Sequence, residues 1–295
     1  MDRPPPDAEF DVIARITSRV SAGLLPLGPG DDAAILASGA VWTTDMLVQD
    51  THFDGRLSPA DIAYKAVAAN VSDLAAMGAA PQAMLLSLGL PDADGAWVDS
   101  FADGLAEACH RWRVALVGGD TVRAAVVIVN IAMGGHCVAR PMTRKGAREG
   151  DALWVTGTLG VAGRAWQEPH PPEASLAAWR RPDPPLDAAL ALARWGRVTA
   201  AMDLSDGLAT DLRRLTVASG VGASVDVDAI PGGSGDVVWT GGEDYELLFT
   251  TGPSDDPRPH VEATGRRATR IGTMTGAVGD SGWPTPAWTH FAGAA

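Results

Sequence analysis

The chain has 295 residues, 46% of them hydrophobic, a length that suits one large domain or two ordinary ones with a real core. Its formal charge of −13 excludes a nucleic-acid partner, because phosphate backbones require clustered Lys and Arg. Only two lysines occur, Lys65 and Lys145, so anions must be met by arginines, helix N-termini, backbone amides or metal ions. Cys109 and Cys137 are too sparse for a disulfide framework and read as reduced residues of a cytoplasmic protein. The polar, proline-rich MDRPPPDAEF start does not read as a signal peptide, and AAVVIVNIAMGG is too short and interrupted to span a bilayer.

In chain order, FDVIARITSRV has helical spacing at Ile13, Ile16 and Val20. GPGDDAAIL then sets Asp31 and Asp32 side by side behind a tight turn, with no lysine or arginine close by in sequence. AVWTT reads as a strand ending at Asp45. The segment from Ser58 to Pro81 reads as a helix with Ser58 as N-cap, Pro59 in the first turn and Asp61 closing a capping box. MLLSLGLP is a buried strand, WVDSFADGLAEACHRW an amphipathic helix, VALVGGDT a strand ending in a Gly-Gly-Asp turn, and AVVIVNIAMGG a further strand. The charged segment RPMTRKGAREGD marks the boundary between an α/β domain, residues 1–141, and an α+β domain, residues 142–295. Beyond it come a strand, ALWVT, and GTLGVAG, which is read as a tight turn. EPHPPEASLAAWRRPDPPLD reads as a surface segment poor in regular structure. A strand end with a helix capped by Ser205 or Asp206 and closed by Gly220 follows, then a turn into the strand ELLFT.

The carboxylates share a context. Asp45, Asp120 and Asp203 each follow an apolar strand, and ligand sites of open α/β sheets gather at strand ends. Aspartate also favours turns, so none of these positions is decisive alone. Asp73 is different, because its helix AVAANVSDLAAMGAA is apolar almost all round and offers no cation three or four residues away. Lys65 is matched to Asp61 as a solvated i,i+4 pair, which leaves Asn70 and Asp73 on one face without a countercharge. A buried carboxylate requires a metal ion or an arginine brought by the fold. Oxygen ligands without nearby His or Cys clusters select Mg²⁺, Mn²⁺ or Ca²⁺ over zinc. The P-loop, protein-kinase and Rossmann signatures are all missing.

In order, GPGDDAAIL, TTDMLVQDTHF, NVSDLAAMGA, LVGGDT, MTRKGAREGD, MDLSDGL and GGEDYELLFT resemble the signature blocks of the thiamine-monophosphate kinases. That family belongs to the aminoimidazole ribonucleotide synthetase-like (PurM-like) ATP-binding superfamily. The resemblance implies a PurM-like two-domain architecture, a homodimer whose N-terminal sheets join into a barrel, and ATP-dependent phosphorylation of thiamine monophosphate with several Mg²⁺ ions. It implies metal ligands or their supports at Asp32, Thr43, Thr44, Asp45, Asp73, Asp120, Asp203 and Asp206, with Asp32, Asp45, Asp73, Asp120 and Asp206 serving catalysis. ATP contacts are implied at Trp112, Gly119, Asp120, Thr121, Arg144 and Ser205, and acceptor contacts at His52, Glu243 and Trp288. Trp112 stands where the family carries tyrosine, Pro185 stands in place of a common arginine, and IPGGSGDVVWTGGED is shorter than usual. Competing readings are another enzyme of the superfamily and a non-catalytic nucleotide or divalent-cation sensor. The chain lacks the N-terminal reactive cysteine and lysine, and the C-terminal cysteine, that two other enzymes of the superfamily require.

Overall fold

The computed structural model describes residues 8–20, 25–233, 235–276 and 283. The first half runs α1 (Ala8–Thr17), β1 (Ala34–Ile35), β2 (Ala40–Val48), α2 (Pro59–Ala76), β3 (Ala79–Leu90), α3 (Gly95–Trp112), β4 (Ala115–Arg123) and β5 (Ile128–Cys137). Its strands form one five-stranded sheet in the order β1-β2-β5-β3-β4, antiparallel except where β3 pairs with β4. Ser58 and Asp61 make the expected capping box at the start of α2, which then runs 18 residues, nearly all buried. One face of the sheet packs Val41, Leu47, Val129, Ile131 and Met133 against Val67, Val71 and Leu74 of α2. The other face leaves Thr44, Met46, Leu85 and Ser87 exposed, and every residue of β4 is exposed as well.

Helix α3 lies directly on α2. A Cβ at Gly104 would sit 2.1 Å from the Ala60 carbonyl oxygen, so only glycine allows this approach. We expect Gly104→Val to cost about 2–3 kcal/mol by overpacking two backbones that cannot yield. Thermal unfolding measures this, and an unchanged melting temperature would show that the helices separate freely.

The second half runs β6 (Ala152–Thr156), α4 (Arg164–Gln167), α5 (Glu173–Arg180), α6 (Leu186–Trp195), β7 (Val198–Leu204), α7 (Leu208–Ser219), β8 (Gly222–Val225), α8 (Asp236–Thr240), β9 (Glu246–Thr251), α9 (Arg258–Glu262) and β10 (Ala268–Thr275). Its sheet has the order β7-β9-β6-β10-β8 and is antiparallel throughout. Leu153 and Val155 of β6 join the core under α7 and α8, while Ala152 and Trp154 join the one under α6 and α9. Cover on both faces explains why this strand reads as an unbroken apolar run.

Five local readings are corrected. The strand AVWTT does not end at Asp45 but continues to Val48, and VALVGGDT continues through Asp120 to Arg123. The segment read as irregular, residues 168–187, holds α5 and the first residues of α6, and α5 is anchored by the burial of Trp179, 0% exposed. Helix α7 is capped by neither Ser205 nor Asp206: Gly207 occupies the N-cap, and Asp211 accepts from both their backbone amides, at 3.1 and 3.0 Å. Lys65 does not pair with Asp61, which instead meets Arg181 at 2.7 Å.

Candidate active site

A cleft of about 890 Å³ lies between the two halves. Its floor is acidic. Asp32 follows the GPG turn, Asp73 comes from α2 and Asp203 from the end of β7, and one carboxylate oxygen of each lies within 4.8 Å of the others. Thr43 donates to Asp73 at 2.6 Å, and Ser72, beside Asp73 on α2, donates to Asp203 at 2.8 Å. A cation from the protein enters this group: Arg144 reaches Asp32 through Nη2 at 2.5 Å and Nε at 3.2 Å. Its backbone amide faces the Asp31 carboxylate at 3.2 Å. The buried Asp32 Oδ2 has no hydrogen-bond partner among the described residues.

Crowding raises the proton affinities here. Burial and the Asp32 charge push Asp203 up to about 7, and the same two causes push Asp31 up to about 6. Asp73 is raised well above the usual carboxylate range by burial, then by Asp203, Asp45 and Asp32. Asp32 is raised by burial against the opposing pull of Arg144. Carboxylates so disposed bind protons unless a cation replaces them. The donors are hard oxygens with one orphan among them, and they fit a hard divalent ion such as Mg²⁺.

Beside this floor, Asp206 is ion-paired to Arg214, which also bonds Asp211 at 3.0 Å. The opposite wall is aromatic and differently charged. Glu243 has a left-handed backbone, φ +58°, and its carboxylate is held by Lys65 at 2.7 Å and by the Trp166 indole N–H at 3.1 Å. His52 lines the same wall, its Nδ1 accepting from the Val48 amide at 3.0 Å.

The cleft thus gathers Asp32, Thr43, Thr44, Asp45, His52, Asp73, Arg144, Ser205, Asp206 and Glu243. Asp203 joins them through the carboxylate group. Four other residues stand elsewhere in the single chain. Asp120 pairs with Ser87, on the face of the sheet opposite the one that packs on α2. Asp45 aligns through Ile131 and Leu86 with Gly119, three strand spacings or about 14 Å away. Gly119, Asp120 and Thr121 all lie on the exposed strand β4. Trp112 is buried against Tyr64, ring centroids 5.0 Å apart. Trp288 lies outside the described residues.

Sequence reasoning missed Lys65, Trp166, Asp211 and Arg214 as parts of the site. Lys65 carried a signal: it is one of two lysines and is surrounded by apolar residues in AYKAVAANV. Asp211 reads like any exposed first-turn acid until the loop folds back on it.

Two halves with separate sheets, facing each other across an acid-lined cleft, define a protein of the AIR synthase related class. The N-terminal domain of that family matches residues 30–137 and its C-terminal domain residues 148–282. Among curated proteins, the thiamine-monophosphate kinase of Salmonella typhimurium is 41% identical over 268 residues, 82% of each chain. Among solved structures, AaThiL complexed with AMPPCP and TMP aligns with a TM-score of 0.83 at 28% identity, covering 96% of this chain and 97% of that one. The thiamine-monophosphate kinase of Stenotrophomonas maltophilia aligns with a TM-score of 0.75 at 35% identity, covering 92% and 95%. The chain belongs to the thiamine-monophosphate kinase family.

Proposed function

We propose that this chain transfers the terminal phosphate of ATP to thiamine monophosphate, giving thiamine diphosphate and ADP. The observation that carries this reading is the pairing, in one cleft, of the Asp32–Asp73–Asp203 group with a wall formed by His52, Glu243 and Trp166. The related AaThiL structure holds AMPPCP and TMP. Phosphoryl transfer asks mainly for positioning and charge neutralisation, not for a protein nucleophile. Asp32, Asp73 and Asp203, with Asp45, Asp206, Thr43 and Thr44 around them, are the residues that would hold Mg²⁺. When bound, such ions neutralise phosphate charge and align donor and acceptor oxygens. Arg144 and Ser205 take the nucleotide side of the cleft, and His52 and Glu243 the acceptor side.

Transfer is direct and in line, since among the described residues no cysteine lines the cleft and His52 has its Nδ1 committed to the Val48 amide. Turnover of ATP with thiamine monophosphate and Mg²⁺ tests the reading. Nucleotide binding without turnover would identify a sensor instead.

The protein works in the cytoplasm as a homodimer. What supports the dimer is the uncovered sheet face and the edge strand β4, where Leu116, Val117 and Val122 are 47%, 61% and 56% exposed. A second copy laid on that face by two-fold symmetry covers these residues and brings Gly119, Asp120 and Thr121 toward the partner's cleft. Sedimentation at micromolar concentration is expected to give the mass of two 30.5 kDa chains. Val122→Glu should shift it toward one, and a single-chain mass for the unmutated protein rejects the dimer.

A further inference from the structure

Lys65 is 0% exposed in the middle of an apolar helix, a position that costs several kcal/mol unless every ammonium proton is met. Each is met by a group that lines or supports the acceptor wall. Nζ lies 2.7 Å from Glu243 Oε1, donates to the His52 carbonyl oxygen at 3.2 Å, and sits 4.9 Å from the centre of the Trp179 ring. Trp179 in turn packs edge-on against Trp166, 5.1 Å between centroids, and Trp166 holds the other Glu243 oxygen.

We propose that Lys65 is the positioning residue that ties this wall to the acid cluster, an inference that rests on the kinase reading above. The tie is helix α2 itself. Lys65 and Asp73 are eight residues apart on it, about 12 Å along the axis, and Ser72 beside Asp73 holds Asp203. One rigid, buried helix therefore fixes the spacing between the groups that meet the acceptor and those that meet the phosphates being joined. Glu243 needs such an anchor. Its left-handed backbone is sustained by the bond from its amide to the Ser205 carbonyl at 2.8 Å, and its side chain by Lys65 and Trp166.

A double-mutant cycle tests this on the full chain. Lys65→Met is expected to raise the KM for thiamine monophosphate by about tenfold, while the KM for ATP changes by less than about twofold. In a Glu243→Gln background the same change should move the acceptor KM by less than about twofold, because the group it orients is already altered. Equal effects in both backgrounds, or a parallel rise in the KM for ATP, would show a merely structural residue and overturn the proposal. If Lys65→Met does not fold, Lys65→Gln, which keeps a donor toward Glu243, goes through the same cycle. Trp166→Phe, which frees the other Glu243 oxygen, must then raise the same acceptor KM, and a KM left unchanged by both overturns the proposal. An unmutated chain without turnover rejects the kinase reading and this inference together; an active chain with an unaltered acceptor KM in the variants rejects the inference alone.

Discussion

Asp73→Asn is expected to lower kcat by about 10²–10³-fold while making the metal-free protein more resistant to heat. The two effects share one cause. Asp73 is held by Thr43 at 2.6 Å and shares its surroundings with Asp203, Asp45 and Asp32, so its charge is costly when no cation is near. Asparagine keeps the shape and the acceptor oxygen, removes the charge, and removes with it one of the carboxylates that the proposed Mg²⁺ site draws on. The sign of the pH effect follows. A carboxyl whose folded pKa is raised stabilises the fold below its unfolded pKa, and that contribution is lost as pH rises through the folded value. For Asp203, raised from 3.8 to about 7, the window runs between those two values. In chelator, the unmutated protein should lose stability across that window, and Asp73→Asn, with one fewer charge beside Asp203, should lose less. Thermal unfolding at several pH values measures this. A variant that turned over normally would show that Asp73 holds no ion, and one less stable than its parent would show that the cluster is not in repulsion.

Much of the acid floor was legible because its members stand at conspicuous places: after a GPG turn, inside an apolar helix, at the end of a strand. Asp73 in particular announced itself through a missing countercharge, and the fold answers with neighbouring carboxylates, not with an arginine. Other parts were hidden by long-range geometry. Arg144 looks like one more cation in a basic linker, yet it crosses to Asp32, 112 residues away. Lys65 was assigned to Asp61 because local i,i+4 spacing is all that a sequence displays. In the fold, Arg181 arrives from α5 to take Asp61, and Lys65 turns inward to Glu243. The proline-rich stretch that holds α5 reads as irregular for the same reason. Its prolines bracket a short helix whose stability comes from burying Trp179 against other elements, and propensity alone does not report that.

Arg144→Met is expected to destabilise the protein by about 3 kcal/mol in chelator and to raise the KM for ATP. The guanidinium is ion-paired with Asp32, whose side chain is 0% exposed. Deleting one partner of a buried ion pair leaves the other charge without compensation, a larger loss than the pair's net contribution. Asp32 can escape part of that cost by taking up a proton, which burial already favours, so the loss should grow as pH rises. Two further measurements separate this account from a general packing defect. Added Mg²⁺ should restore much of the lost melting temperature, because a divalent ion supplies the charge that the arginine withdrew. The double variant Arg144→Met/Asp32→Asn should be more stable in chelator than Arg144→Met alone, since it no longer leaves the Asp32 charge without its partner. Additive losses, with no recovery in Mg²⁺, would show that Arg144 serves the fold through its methylene stem and not as the counterion of Asp32.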